Sequence, residues 1–171
     1  DELIAVLKPM SNNNSRDLDI IRELLKRIND YSVRLSNENK GNELFTNAVK
    51  TTNYDWVVCQ QYSKYLLENG RYESSFSWAN RAMEQNRGST SLQHQKGNIL
   101  FKWARALKEA GENEKANEKI EEAKKHFAKS RMASVPNEYG FVTHLDMLIY
   151  LIEHSSDDIE KANLFAEGTR L

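Results

Sequence analysis

The sequence predicts an all-α chain, and three observations carry that prediction. Apolar residues recur at threes and fours over helix-length stretches. Only two prolines and seven glycines interrupt 171 residues. β-Branched residues never alternate over the length of a strand. Within that class, the stretch from Trp56 to Lys129 holds two helical hairpins of one design. Each is a long apolar-periodic helix stopped by a glycine, then a second helix with small residues at helical spacing. Gly70 is followed by Ser75, Ala79 and Ala82; Gly111 is followed by Ala116, Ile120 and Ala123. The two glycines stand 41 residues apart. A repeated helix–glycine–helix unit is a sign of stacking, so we expect an α-solenoid of antiparallel helical hairpins.

Taken in order, residues 1–7 suit one or two helical turns stopped by Pro9. Residues 11–15 form a polar loop in which Asn14 or Ser15 is a natural N-cap. Leu18, Ile21, Leu25, Ile28 and Tyr31 mark an amphipathic helix over 16–35, widened by Leu24 and Leu35, with Asp17 and Asp19 at its positive end. Residues 36–42 read as a polar break. Leu44, Phe45, Ala48 and Val49 give a short helix, and Thr51-Thr52-Asn53 is expected to cap the first hairpin. Gly70 and Gly111 each suit a positive φ just past a helix. Arg87-Gly88-Ser89-Thr90 is a loop, with a helix starting near Ser91. Residues 132–137 break around Pro136. Phe141, Leu145, Leu148, Ile149 and Ile152 then form an apolar stripe, and Ser155-x-x-Asp158 offers a capping box for the last helix. This third pair lacks the glycine turn and suits the end of an array. We therefore divide the chain into N-terminal helices, 1–53, leading into one continuous array, 54–171. Its start at Asp1 and its end soon after a helix begins suggest a piece of a larger protein.

Composition narrows function by exclusion. Charged residues make up 29% of the chain and the formal net charge is −1, which gives no broad push toward nucleic acid or an anionic membrane. A single cysteine, Cys59, permits no internal disulfide and suits a reducing, cytoplasmic setting. No apolar run reaches the roughly 18 residues of a membrane span. No signal peptide is expected, and Asn13-Asn14-Ser15 is read as a chance acceptor triplet. His94, His126, His144 and His154 make neither a His-x-x-x-His nor a Glu-x-x-His arrangement, so no metal or cofactor is expected. Cys59 lacks an activating neighbour, no Gly-x-x-x-x-Gly-Lys occurs, and no catalytic motif is found. Trp56, Trp78 and Trp103 sit among apolar neighbours and are expected in the core. Glu118, Glu121 and Glu122 with Lys119, Lys124 and Lys125 read as a solvated face.

The hairpins resemble the tetratricopeptide (TPR) repeat. Tyr62-Ser63, Gly70-Arg71-Tyr72, Ala79 and Ala82 fit its pattern once; Trp103-Ala104, Gly111, Ala116 and Ala123 fit it again. Ser75 stands where that family has its first helix-B alanine, Asn113 replaces the turn tyrosine, no proline closes either unit, and the spacing exceeds the usual length of about 34 residues. A little over half of the chain also resembles the helical-repeat region of STAND-type NTPases, including animal antiviral and bacterial defence members. Trp78-Ala79-Asn80-Arg81-Ala82, His94-Gln95-Lys96-Gly97, Phe127-Ala128-Lys129-Ser130 and Tyr139-Gly140-Phe141 carry that likeness. The resemblance implies a sensor or scaffold arm whose NTPase and effector parts lie elsewhere.

Together these readings predict a non-catalytic module that binds a protein or peptide. If the TPR correspondence holds, Gln60, Lys64, Asn98, Phe101, Arg105 and Lys108 face the groove. The alternative is a nucleic-acid surface using Lys64, Lys102, Arg105 and Lys108, against which the near-neutral charge weighs. Nothing in the sequence fixes an oligomeric state.

Overall fold

A computed structural model describes residues 15–32, 38–132 and 138–171. The features expected at 1–14, at Leu35 and around Pro136 lie outside the described residues. Among these residues the chain is all-helical: α1 Ser15–Ser32, α2 Glu38–Thr51, α3 Trp56–Glu68, α4 Tyr72–Gln85, α5 Thr90–Glu109, α6 Asn113–Arg131, α7 Glu138–His154 and α8 Asp158–Gly168. No helix is long and apolar enough to cross a membrane. The chain divides into two compact units, Asp1–Gly88 and Ser89–Leu171.

In the first unit, α3 is the shared element, because α1, α2 and α4 all pack against it. Ile21 and Leu25 of α1 are buried, as are Leu44, Phe45, Ala48 and Val49 of α2. Helix α2 nevertheless begins at Glu38, inside the stretch expected as a break. Its polar start has tertiary partners. A Cβ at Gly41 would run into the Tyr65 ring, and Tyr62 Oη donates to Asn42 Oδ1 at 2.6 Å. Close packing there outweighs weak local propensity.

The cap on α3 also differs from the expectation. Thr51 ends α2, while Asn53 and Tyr54 take left-handed φ values of 48° and 63°. The N-cap is Asp55, whose Oδ1 accepts from Val57 N and Val58 N at 3.1 and 3.2 Å. Arg22 of α1 donates to both carboxylate oxygens of Asp55, at 3.0 and 2.6 Å. One aspartate thus starts α3 and ties it to α1, a two-pronged pairing that fixes orientation as well as charge.

Both hairpin turns close alike. Gly70 and Gly111 have φ of 69° and 81°. Gly70 N donates to Leu67 O and Arg71 N to Leu66 O, at 3.0 and 2.8 Å; Gly111 N donates to Lys108 O and Glu112 N to Leu107 O, at 3.0 and 2.9 Å. This Schellman pattern satisfies the last carbonyls of each helix. Beyond the turn, Ala79 and Ala82 in α4, and Ala116, Ile120 and Ala123 in α6, are buried. In the second unit α7 touches both α5 and α6, and α8 lies on α7. The α5 N-cap is Ser89, accepting from Leu92 N at 3.2 Å.

Two expectations in the last pair are corrected. The face of α7 that is buried comprises Gly140, His144, Met147, Leu148 and Leu151, whereas Leu145 and Ile149 are exposed. Helix α7 also carries Val142, Leu145 and Ile149 at helical spacing on its outer face, so period alone does not select its inner face. Gly140 helps set the register: a Cβ there would press on Ser130 of α6. The N-cap of α8 is Asp157, accepting from Ile159 N and Glu160 N at 2.8 and 3.3 Å. Ser155 instead accepts from Asp157 N at 3.1 Å and so supports the cap. The three tryptophans are half-buried, at the edge of the core.

Candidate functional site

Two of the expected binding residues come together in the second unit. Phe101 lies one helical turn before Arg105 on α5 and is 6% exposed, so it is part of the core. Its ring meets Tyr150 of α7 edge-on, with centroids 5.6 Å apart. Arg105 is exposed, and its guanidinium carbon lies 4.8 Å from the Tyr150 centroid and 6.0 Å from that of Phe101. A guanidinium at such distances gains from the ring quadrupole while keeping its donors free for another group. His154 stacks on the same tyrosine at 4.1 Å, and its Nδ1 is 2.8 Å from Tyr150 O. The result is a cation resting on an aromatic shelf shared by two helices.

Lys108 and Asn98 flank this shelf on α5 and are half-buried. Among the described residues, no carboxylate is paired with Arg105 or Lys108. Gln60 and Lys64 belong to α3 in the other unit, where Gln60 is buried and Lys64 exposed. They stand 41 residues before Phe101 and Arg105, at the same place in the hairpin register. Tyr150 was not among the expected site residues. Its signal in the sequence is an aromatic one turn before His154.

The short motifs of the second unit also meet in space, as packing contacts. A Cβ at Gly97 would lie 2.6 Å from the Phe127 ring. His94 Nε2 is 2.9 Å from Thr143 Oγ1, and its ring neighbours Phe127 and Tyr139. Ser130 Oγ donates to Thr90 O at 3.0 Å. Each residue joins the start of α5 to the end of α6 or the start of α7. Compared with known protein families, curated proteins and solved structures, the chain matches none.

The titratable groups that burial shifts most are structural in character. Burial, reinforced by Lys96 and Lys129, lowers His126 to about 4. Its Nδ1 donates to Gln93 Oε1 at 2.7 Å. His144 is lowered by burial and by Arg131, against the pull of Glu167. Arg131 Nη1 donates to His144 Nδ1, which leaves the neutral ring's proton on Nε2, 3.3 Å from Glu167 Oε1. Glu167 also accepts from Lys124 Nζ at 3.0 Å, so α6, α7 and α8 share one polar cluster. Burial pushes the Cys59 thiol up to about 11, and Sγ donates to Tyr54 O at 3.2 Å. A thiol held protonated in this way is a poor nucleophile. The acidic and basic side chains along α6, including Glu118, Glu121 and Lys125, are exposed.

Proposed function

We propose that this chain is a non-catalytic, TPR-like protein-interaction module whose second unit grips an acidic peptide segment through Arg105. The observation that carries this reading is Arg105 itself: an exposed guanidinium laid over Tyr150 and Phe101, with no carboxylate paired to it among the described residues. A preformed planar donor on a rigid shelf suits a peptide carboxylate, which it meets through two parallel hydrogen bonds. Arginine and aromatics are also enriched where interfaces gain most of their energy. The order of helix contacts supports the repeat reading. In each unit a third helix touches both members of the preceding pair, α3 on α1 and α2, and α7 on α5 and α6. The short motifs resembling STAND-type NTPases suggest that the module is a cytoplasmic sensing or scaffolding arm of such a protein.

The experiment is an anisotropy titration with a glutamate-rich peptide and, separately, with single-stranded nucleic acid at two salt concentrations. We expect the peptide to bind. Arg105→Ala should weaken it by roughly tenfold, in the range of an interface anchor, with an unchanged melting temperature. Phe101→Ala should lower stability as well, because a buried ring is lost. Salt-sensitive nucleic-acid binding that exceeds peptide binding would instead favour a second-unit surface of Lys102, Arg105 and Lys108.

A further inference from the structure

A second surface lies at the other side of α7. Val142, Leu145 and Ile149 recur at threes and fours along that helix, opposite the buried face, and Leu145 and Ile149 are 38% and 53% exposed. Helix α8 borders them. A Cβ at Gly168 would lie 3.6 and 3.7 Å from Leu148 and Leu145, and Phe165, one turn earlier, is 67% exposed. Single exposed apolar residues are ordinary, but a contiguous stripe along a helix pair is the mark of an interaction site.

The structure also says what kind of occupant fits. The apolar stripe of α7 and α8 is flanked by Asp146 and Glu153, both exposed on α7, and no cation is paired with either among the described residues. We infer that the α7–α8 groove docks an amphipathic helix of a partner protein, one that carries lysine or arginine beside its apolar stripe. Apolar contact supplies the attraction, and the two carboxylates select basic over acidic helices. Asp146 and Glu153 lie about one turn on either side of Tyr150 on α7, so this site borders the Arg105 shelf and prefers the opposite charge.

Two synthetic helical peptides test it on the full chain. Both carry leucine at i, i+3, i+4 and i+7; lysine flanks the stripe in one and glutamate in the other. By anisotropy the lysine peptide should bind and the glutamate peptide should not. Leu145→Ser with Phe165→Ser should weaken the lysine peptide by roughly tenfold or more, as loss of the central apolar anchors does. Asp146→Lys with Glu153→Lys should reverse the preference between peptides. All four side chains are exposed, so the variants should melt with the native chain; Ile149→Ser is the substitute if the serine pair does not. Failure of the lysine peptide to bind, binding that survives the apolar substitutions, or equal binding of both peptides overturns the inference. So does a self-association seen by sedimentation that Leu145→Ser with Phe165→Ser abolishes, since the occupant would then be a second copy.

Discussion

The hairpins α3–α4 and α5–α6 keep one backbone plan and close it with different chemistry. Their turns match bond for bond at an offset of 41 residues. At the helix crossing, the first hairpin places Ser63 and Ser75, both fully buried. Ser63 Oγ donates to Ser75 O, and Ser75 Oγ donates to Ser63 O, each at 2.8 Å. The second hairpin places Ala104 and Ala116 at the same two positions, equally buried. Two hydroxyls that satisfy each other's backbone therefore do the work of two methyls. Buried polar groups are tolerated when fully paired, and that explains why Ser75 departs from the alanine pattern.

The hairpins also exchange bulk between helices. Trp56 opens α3, whereas the matching position in α5 is Gly97, against which Phe127 of α6 packs. A third difference is charge: all four histidines lie in the second unit, two of them buried.

The largest expected effect separates the units by acid. His126 and His144 stay neutral in the folded chain, whereas an unfolded histidine takes a proton near pH 6.5. Their folded values are depressed, so stability is full above about pH 6.5, is lost as the pH falls toward about 4, and then levels off. Lys96 and Lys129 beside His126, and Arg131 and Lys124 beside His144, oppose protonation, while Glu167 eases it for His144. The loss should be on the order of 2–3 kcal/mol for His126 alone. Amide exchange across that range should show α5–α8 opening before α1–α4; equal opening would remove the contrast.

Gly97→Ala is expected to come next. In an open helix this change stabilises by up to about 1 kcal/mol. Here the new Cβ meets the Phe127 ring, so the sign should invert, with a loss of about 1–3 kcal/mol by urea denaturation. A gain in stability would show that the two helices have room to spare. The serine pair gives the smallest effect. Ser63→Ala and Ser75→Ala should each cost about 1 kcal/mol, while the double variant should cost less than their sum, since Ala104 and Ala116 already show that methyls close this crossing. An additive or larger loss would mean that the hydroxyls hold something the second hairpin achieves otherwise.

Much of this architecture is legible in the sequence because its causes are local. Glycines past helix-length runs, and small residues at helical spacing, require no distant partner to be read. The features that escape are set by contacts across sequence. Asp55 is the cap on α3 partly because Arg22, 33 residues earlier, holds it in place. The polar start of α2 is helical because Tyr62 and Tyr65 pack on it. The exposed face of α7 is hidden because Val142, Leu145 and Ile149 repeat there at the same spacing as the buried residues. Of the candidate site, Phe101 and Arg105 are readable as a turn-spaced pair, but Tyr150, which joins them, lies 45 residues beyond Arg105.

The central claim is that recognition resides on the shelf built by Arg105 and Tyr150. Amide chemical shifts followed while a glutamate-rich peptide is added test it most directly. The account predicts perturbations centred on Phe101, Arg105, Tyr150 and His154, lost in Arg105→Ala. Shifts centred instead on the exposed face of α6 from Glu114 to Lys129, or shifts unchanged by that substitution, would contradict it.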